Sequence, residues 1–104
     1  MSIDKLAEIG VIDVAFPKNT STLMVLKMSP GSNAKSALRK VMKSRGLTLC
    51  VDEDIDITDF KQIIWGISTR FQPSEDVILS KGGIGIDGTK PIEWKAKKAT
   101  LPST

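Results

Sequence analysis

The sequence predicts an α/β fold, a layered sandwich on a mixed, mostly parallel sheet, and three observations carry that prediction. Two runs rich in β-branched and aliphatic residues, at 11–16 and 22–28, are followed by an alternation of helix, strand, helix and strand. The run Leu47-Thr48-Leu49-Cys50-Val51 is almost continuously apolar, the pattern of a strand buried on both faces. Between the strands, apolar residues recur at helical spacing, so that each helix has one face to lay on a sheet.

The elements follow in order. Residues 2–9 have helix-forming content, with Leu6 and Ile9 on one surface and Gly10 placed to stop the helix. Val11-Ile12-Asp13-Val14-Ala15-Phe16 reads as a strand that Pro17 ends, and Thr22-Leu23-Met24-Val25-Leu26-Lys27-Met28 reads as a second, more buried one. After Ser29-Pro30-Gly31, either Ser32 or Asn33 caps a helix whose apolar face is Ala34, Ala37, Leu38, Val41 and Met42. Lys35, Arg39 and Lys43 are expected on its solvated side, and Gly46 as its C-terminal stop. A helix joining two strands favours a parallel pair.

Asp52, Glu53, Asp54, Asp56 and Asp59 crowd the loop that leaves the 47–51 strand, and Asp56 or Thr58 is placed to cap the next helix. Phe60, Ile63, Ile64, Ile67 and Phe71 are expected on one face of that helix, with Gly66 permitting close approach and Pro73 marking the end. Val77-Ile78-Leu79 is a short strand, and residues 81–88 read as a glycine-rich loop. One α/β domain over residues 1–90 and a basic, flexible tail over 91–104 complete the organisation.

Composition excludes several functions. The 104 residues suffice for one domain, and 40% hydrophobic with 26% charged content is that of a globular protein. No apolar run is long enough to span a bilayer and the N-terminus lacks a signal pattern, so the expectation is a cytoplasmic location with no membrane partner. There is no histidine, which removes the Ser-His-Asp triad, the Cys-His pair and histidine-ligated zinc from this chain. Cys50 reads as a small buried strand residue. The net charge is +3, and the aromatic residues are not interleaved with basic ones, so no nucleic acid is expected.

The acidic cluster offers carboxylates to a hard cation, but it lacks the glycine and glutamate positions of the twelve-residue calcium loop. No metal is therefore expected; such acids more often cap a helix, pair with arginine or face water. Lys81, Gly82, Gly83 and Gly85 offer backbone N–H groups and an ammonium to a phosphate, against the plainer reading of a turn. Arg70 is placed to pair with the acidic loop of its own chain or of a neighbour, and Trp65 either widens the core or marks a contact surface.

Three segments carry a resemblance. They are Val11-Ile12-Asp13-Val14 with Ser29-Pro30-Gly31 before Ala34-Lys35; the long stretch from Val51-Asp52-Glu53-Asp54-Ile55-Asp56 through Trp65-Gly66 and Thr69-Arg70 to Pro73 and Asp76-Val77; and Gly85-Ile86-Asp87-Gly88-Thr89-Lys90-Pro91. Together they resemble the C-terminal portion of the UbiD-type decarboxylases, prenylated-FMN-dependent enzymes that add or remove carboxylate on aromatic and unsaturated acids. The resemblance implies the fold of that C-terminal domain and no catalytic residue in this chain, since in full-length members an earlier domain supplies the catalytic Glu-Arg-Glu group. A family lysine that reaches the cofactor's phosphate aligns with Gly83, so this chain alone is expected to bind no cofactor, and prenylated FMN is expected in a partner. Lys81, Gly82, Gly83 and Lys90 are the residues left to touch it.

The role implied is a small accessory subunit of a multi-subunit aromatic acid carboxylase or decarboxylase, of the phenylphosphate carboxylase kind, docked on large UbiD-like subunits. Asp52, Asp54, Asp56, Trp65 and Arg70 are the candidate partner interface. Two other readings stay open: a module that self-associates through the Trp65 helix, and a flavin-phosphate carrier using Lys81 or Lys90.

Overall fold

A computed structural model describes residues 3–17, 22–42, 46–72, 75–80 and 82–90. Helix α1 (Ile3–Glu8) leads into strand β1 (Val11–Ala15), then β2 (Leu23–Met28), α2 (Ala34–Val41), β3 (Gly46–Val51), α3 (Phe60–Arg70), β4 (Val77–Ser80) and β5 (Gly83–Asp87). The strands form one sheet in the order β1-β2-β3-β5-β4. The three inner strands run parallel to one another, and both edge strands run antiparallel to their neighbours. This is the mixed α/β sheet expected, with the apolar run of β3 at its centre. The tail at 91–104 lies outside the described residues, and among those described no helix is long and apolar enough to cross a membrane.

Helices sit on both faces because alternate residues of the inner strands point opposite ways. On one face Leu26, Met28 and Cys50 meet Ala34, Ala37 and Leu38 of α2 and Val11 of β1. On the other, Val25, Leu49 and Val51 meet Ile55 and Ile57 of the acidic loop and Ile63 of α3. A strand flanked on both faces cannot alternate polar and apolar residues, which is why β3 reads as a continuous run.

Asn33 caps α2, its side chain accepting from the Ser36 N–H at 2.9 Å, while the Ser32 hydroxyl turns back to the Ser29 carbonyl at 2.7 Å. Four expectations are corrected. Gly46 does not stop α2, which ends at Val41; it opens β3 at φ +106° instead. Asp59 caps α3 by accepting from the Lys61 N–H at 3.0 Å, and Asp56 makes the preceding turn by accepting from the Thr58 N–H and hydroxyl. The buried stripe of α3 is Ile63, Gly66 and Arg70, with Phe60 and Ile64 turned to solvent, because an arginine whose charge is matched can sit where an apolar residue was expected. Residues 83–87 form a strand rather than a loop, since β3 and β4 supply hydrogen-bond partners on both sides and offset the low strand propensity of glycine.

Two glycines set how closely the layers approach. A Cβ on Gly85 would stand 2.6 Å from the Met42 sulfur, so its absence lets α2 lie against β5. A Cβ on Gly66 would stand 3.0 Å from the Ile55 side chain, where the acidic loop folds under α3.

Candidate functional site

The carboxyl ends of β3 and β5 deliver Asp52 and Asp87 to one end of the sheet, the position at which open α/β sheets usually hold their functional groups. Two ionic clusters form there. In the first, Arg70 from the last turn of α3 donates through Nη1 to Asp52 Oδ2 at 2.8 Å, and through Nη1 and Nη2 to the two oxygens of Asp54 at 2.9 Å each. The fork geometry of guanidinium suits this bidentate grip. Asp52 also accepts from the Lys90 N–H at 2.8 Å, and the Lys90 ammonium stands 3.9 Å from Asp54. The Trp65 ring lies 5.1 Å from the Arg70 guanidinium carbon, a cation–π contact along the same helix. Arg70 Nε is buried with no hydrogen-bond partner in the structure.

The second cluster was not foreseen as a unit. Lys35, in the first turn of α2, donates to Asp76 at 3.0 Å and to Asp87 at 3.1 Å. Asp76 also accepts from the Gln72 N–H at 2.7 Å, and Asp87 accepts from both the N–H and the hydroxyl of Thr89. Lys35 is thus not part of a solvated stripe with Arg39 and Lys43, because two carboxylates from the β4–β5 pair draw it to the sheet end; Lys43 itself lies outside the described residues. The signal was available: Asp76 and Asp87 precede and follow the Val77↔Ile86 pair, so recognising β5 as a strand would have placed them side by side.

The segment after β5 ties the clusters together. Gly88 N–H donates to the Cys50 carbonyl at 2.8 Å, two residues before Lys90 reaches Asp52. Cys50 is fully buried, and burial, with Asp87 nearby, raises its thiol pKa, leaving it a packing residue.

Electrostatically the first cluster balances Arg70 and Lys90 against Asp52 and Asp54, whereas the second sets the single Lys35 ammonium between two carboxylates. Hydrogen bonding to Arg70 holds the Asp54 carboxyl below its ordinary value, outweighing partial burial. Burial acts to lower the pKa values of Arg70 and Lys35, yet their carboxylate partners raise both overall. Asp56 is lowered by its bonds to Thr58. A carboxyl whose folded pKa is depressed stabilises the fold above its unfolded pKa near 3.8, and that contribution drains as pH falls through the folded value. Thermal midpoints between pH 7 and 2 are therefore expected to fall below about pH 4, and Asp54→Asn to flatten the fall. A midpoint unchanged down to pH 2 would contradict the assignment.

The residues expected to line a partner interface divide. Asp52 and Arg70 are 4% and 1% exposed and face each other inside the chain, so they lock the acidic loop to α3 and present nothing to a partner. Asp54, Asp56 and Trp65 lie on the surface. The residues expected at a cofactor phosphate are not brought together. Gly82 and Gly83 stand where β5 begins and Lys90 beyond its far end, with four strand steps of about 3.3 Å, roughly 13 Å, between Gly83 and Asp87 alone. Lys81 lies outside the described residues. Gly83 is buried in the ladder opposite Gly46 and Ser80, and Lys90 is beside a carboxylate, so the described residues do not fit a flavin phosphate. Among the described residues no group of three Asp, Glu or Cys side chains is arranged to hold a metal ion. Grooves of about 750 Å³, between α1, β1 and α2, and about 610 Å³, beside Phe16 and Phe60, share no residue with either cluster.

The fold and these clusters define a class: a small mixed-sheet α/β domain whose charged groups fasten chain segments at the carboxyl end of the sheet. The family model of the 3-octaprenyl-4-hydroxybenzoate carboxy-lyase C-terminal domain (UbiD_C) matches residues 3–98, and the chain belongs to this family. The chain is similar, at 24% identity over 82% of its length, to an uncharacterized protein of Archaeoglobus fulgidus, of which it spans 23%. Among solved structures it is similar to the UbiD-class enzyme HmfF of Pelotomaculum thermopropionicum, in an evolved dimeric form in complex with prFMN (TM-score 0.71, 24% identity, 92% of this chain and 26% of that one). It also resembles the 3,4-dihydroxybenzoic acid decarboxylase AroY of Klebsiella pneumoniae (TM-score 0.70, 17% identity, 98% and 28%). A third is the vanillic acid decarboxylase ShVdcCD of Sedimentibacter hydroxybenzoicus in closed form (TM-score 0.68, 17% identity, 96% and 26%). The chain spans about a quarter of the length of the proteins it matches. These likenesses establish the fold expected from the sequence.

Proposed function

We propose that this chain acts as a non-catalytic accessory subunit of a multi-subunit UbiD-type carboxylase or decarboxylase acting on an aromatic acid. It would dock on large subunits that hold prenylated FMN and supply the reacting groups. The observation that carries the reading is a contrast within one domain of this family. The charged groups at the sheet end are closed on one another, whereas Ile12, Phe16, Phe60, Ile64 and Trp65 are exposed. Ion pairs satisfied internally have little left to offer a substrate, and large exposed apolar side chains gain free energy when a partner covers them. The similar vanillic acid decarboxylase ShVdcCD is known in an open form with truncated ShVdcD, which is compatible with assembly from unlike subunits.

Co-expression with a large UbiD-like subunit tests this directly. The two chains are expected to elute together, and the large subunit's decarboxylation rate to fall when this chain is withheld. Full activity in its absence would sink the proposal, as would stoichiometric binding of FMN by the isolated chain.

A further inference from the structure

The methionines within the described residues are held in three different ways. Met28 is 1% exposed, in the core beside α2. Met24 is half-buried and lines the groove between α1, β1 and α2. Met42 is half-buried as well, but its sulfur has a particular seat, 2.6 Å from the point where a Cβ on Gly85 would stand, with a Leu38 methyl 3.3 Å from that point. Gly85 is buried in the middle of β5, so the thioether fills the notch that glycine leaves in the strand.

Met42 is also the C-cap of α2, its N–H donating to the Leu38 carbonyl at 2.9 Å. At the other end of the helix Lys35 donates to Asp76 and Asp87, on either side of the β4–β5 pair. Helix α2 is thus fastened to these strands twice, by charge in its first turn and by a sulfur contact just past its last. A thioether is flexible and apolar and shapes itself to such a notch, whereas a sulfoxide is polar and larger.

We propose that Met42 is a redox-sensitive fastener, converted by hydrogen peroxide to the sulfoxide, which unseats the C-terminal end of α2 from β5. In that step the sulfur lone pair attacks one peroxide oxygen and the O–O bond breaks. The sulfur is oxidised by two electrons, and the oxygen it gains passes its proton to the departing hydroxide, which leaves as water. The new oxygen has no room over Gly85, and its dipole is set against Leu38 and a strand already paired on both sides. The ionic end of the helix is untouched, so the domain stays folded with one helix end loose, and reduction of the sulfoxide re-seats it. The inference concerns this chain alone and does not depend on the accessory-subunit reading.

Hydrogen peroxide added to the folded protein, followed by peptide mass spectrometry and thermal unfolding, tests it. Met42 is expected to gain its oxygen well before Met28, and the oxidised wild type to lose about 5 °C in Tm while keeping its circular dichroism spectrum. Under the same treatment Met42→Leu should hold its own midpoint and Met24→Leu should lose as much as wild type. Methionine sulfoxide reductase should restore the wild-type midpoint. Should Met42→Leu fail to fold, hydrogen exchange of the wild type decides: oxidation is expected to speed the amides of residues 38–42 and of Gly83–Asp87 but not those of β1. Oxidation of Met42 no faster than of Met28 overturns the inference, as does an equal fall in Met42→Leu or a fall abolished by Met24→Leu. So does a spectrum lost on oxidation, a midpoint that reduction leaves low, or exchange in α2 and β5 that ignores oxidation.

Discussion

Arg70→Ala is expected to lower the stability of this domain by about 3–5 kcal/mol, because it removes the cation from a buried ion pair and leaves its carboxylates uncompensated. The Arg70 side chain is fully buried and that of Asp52 is 5% exposed, so water cannot replace the lost partner at Asp52 without opening the loop. Asp54 is 39% exposed and will recover part of its hydration, which places the expected cost within that range rather than above it. For a domain of this size the loss corresponds to a fall in Tm of more than about 10 °C. Arg70→Lys is not expected to rescue it, since one ammonium cannot grip Asp52 and both Asp54 oxygens at once. Pairing Arg70→Leu with Asp52→Asn should recover part of the stability, as it removes the charge and the need for a partner together. Urea and thermal unfolding followed by circular dichroism measure all three; an Arg70→Ala midpoint within about 2 °C of wild type would refute the account.

Gly46→Ala should be the most damaging of the small substitutions. Gly46 opens the central strand at φ +106°, where an L-residue is strained by about 1–2 kcal/mol, and its new Cβ would stand 2.4 Å from the Thr22 carbonyl oxygen. That oxygen accepts the Leu47 N–H at 2.9 Å, so relief of the clash loosens the point where β2 and β3 first pair. A total of about 2–4 kcal/mol is expected. Gly31→Ala is the control: Gly31 also has positive φ, but a Cβ there meets nothing within 4 Å, so the substitution adds only the backbone strain. Equal costs at the two positions would show that the clash contributes nothing.

Most of the fold was legible because it rests on local signals. Apolar periodicity located α2 and α3, and the continuous run 47–51 located a strand covered on both sides. What misled the reading were residues whose role is set by a distant neighbour. Gly46 looked like a helix stop because glycine after an apolar helix usually is one; here the constraint is the carbonyl of Thr22, in the turn just before β2. Phe60 and Ile64 looked buried by spacing alone, but the sheet end contains Asp52, which turns α3 so that Arg70 enters instead. The 83–87 stretch looked like a loop because its glycines are poor strand formers in isolation, and only the ladders from β3 and β4 make them a strand.

The sequence by itself determined the order of elements as far as β4, the family and the burial of β3 on both faces, since each depends on residues close together or on a motif read in line; whether Arg70 meets the acidic loop of its own chain or of a neighbour it left open. Only the tertiary structure decided which charge meets which. Lys35 is 41 residues from Asp76 and 52 from Asp87, and Lys90 is 38 from Asp52, separations at which spacing along the chain carries no information about contact. Those partners are chosen by strand order: placing β5 between β3 and β4 gathers the three strand ends at one edge, where the burial of each carboxylate requires a donor and the chain supplies one.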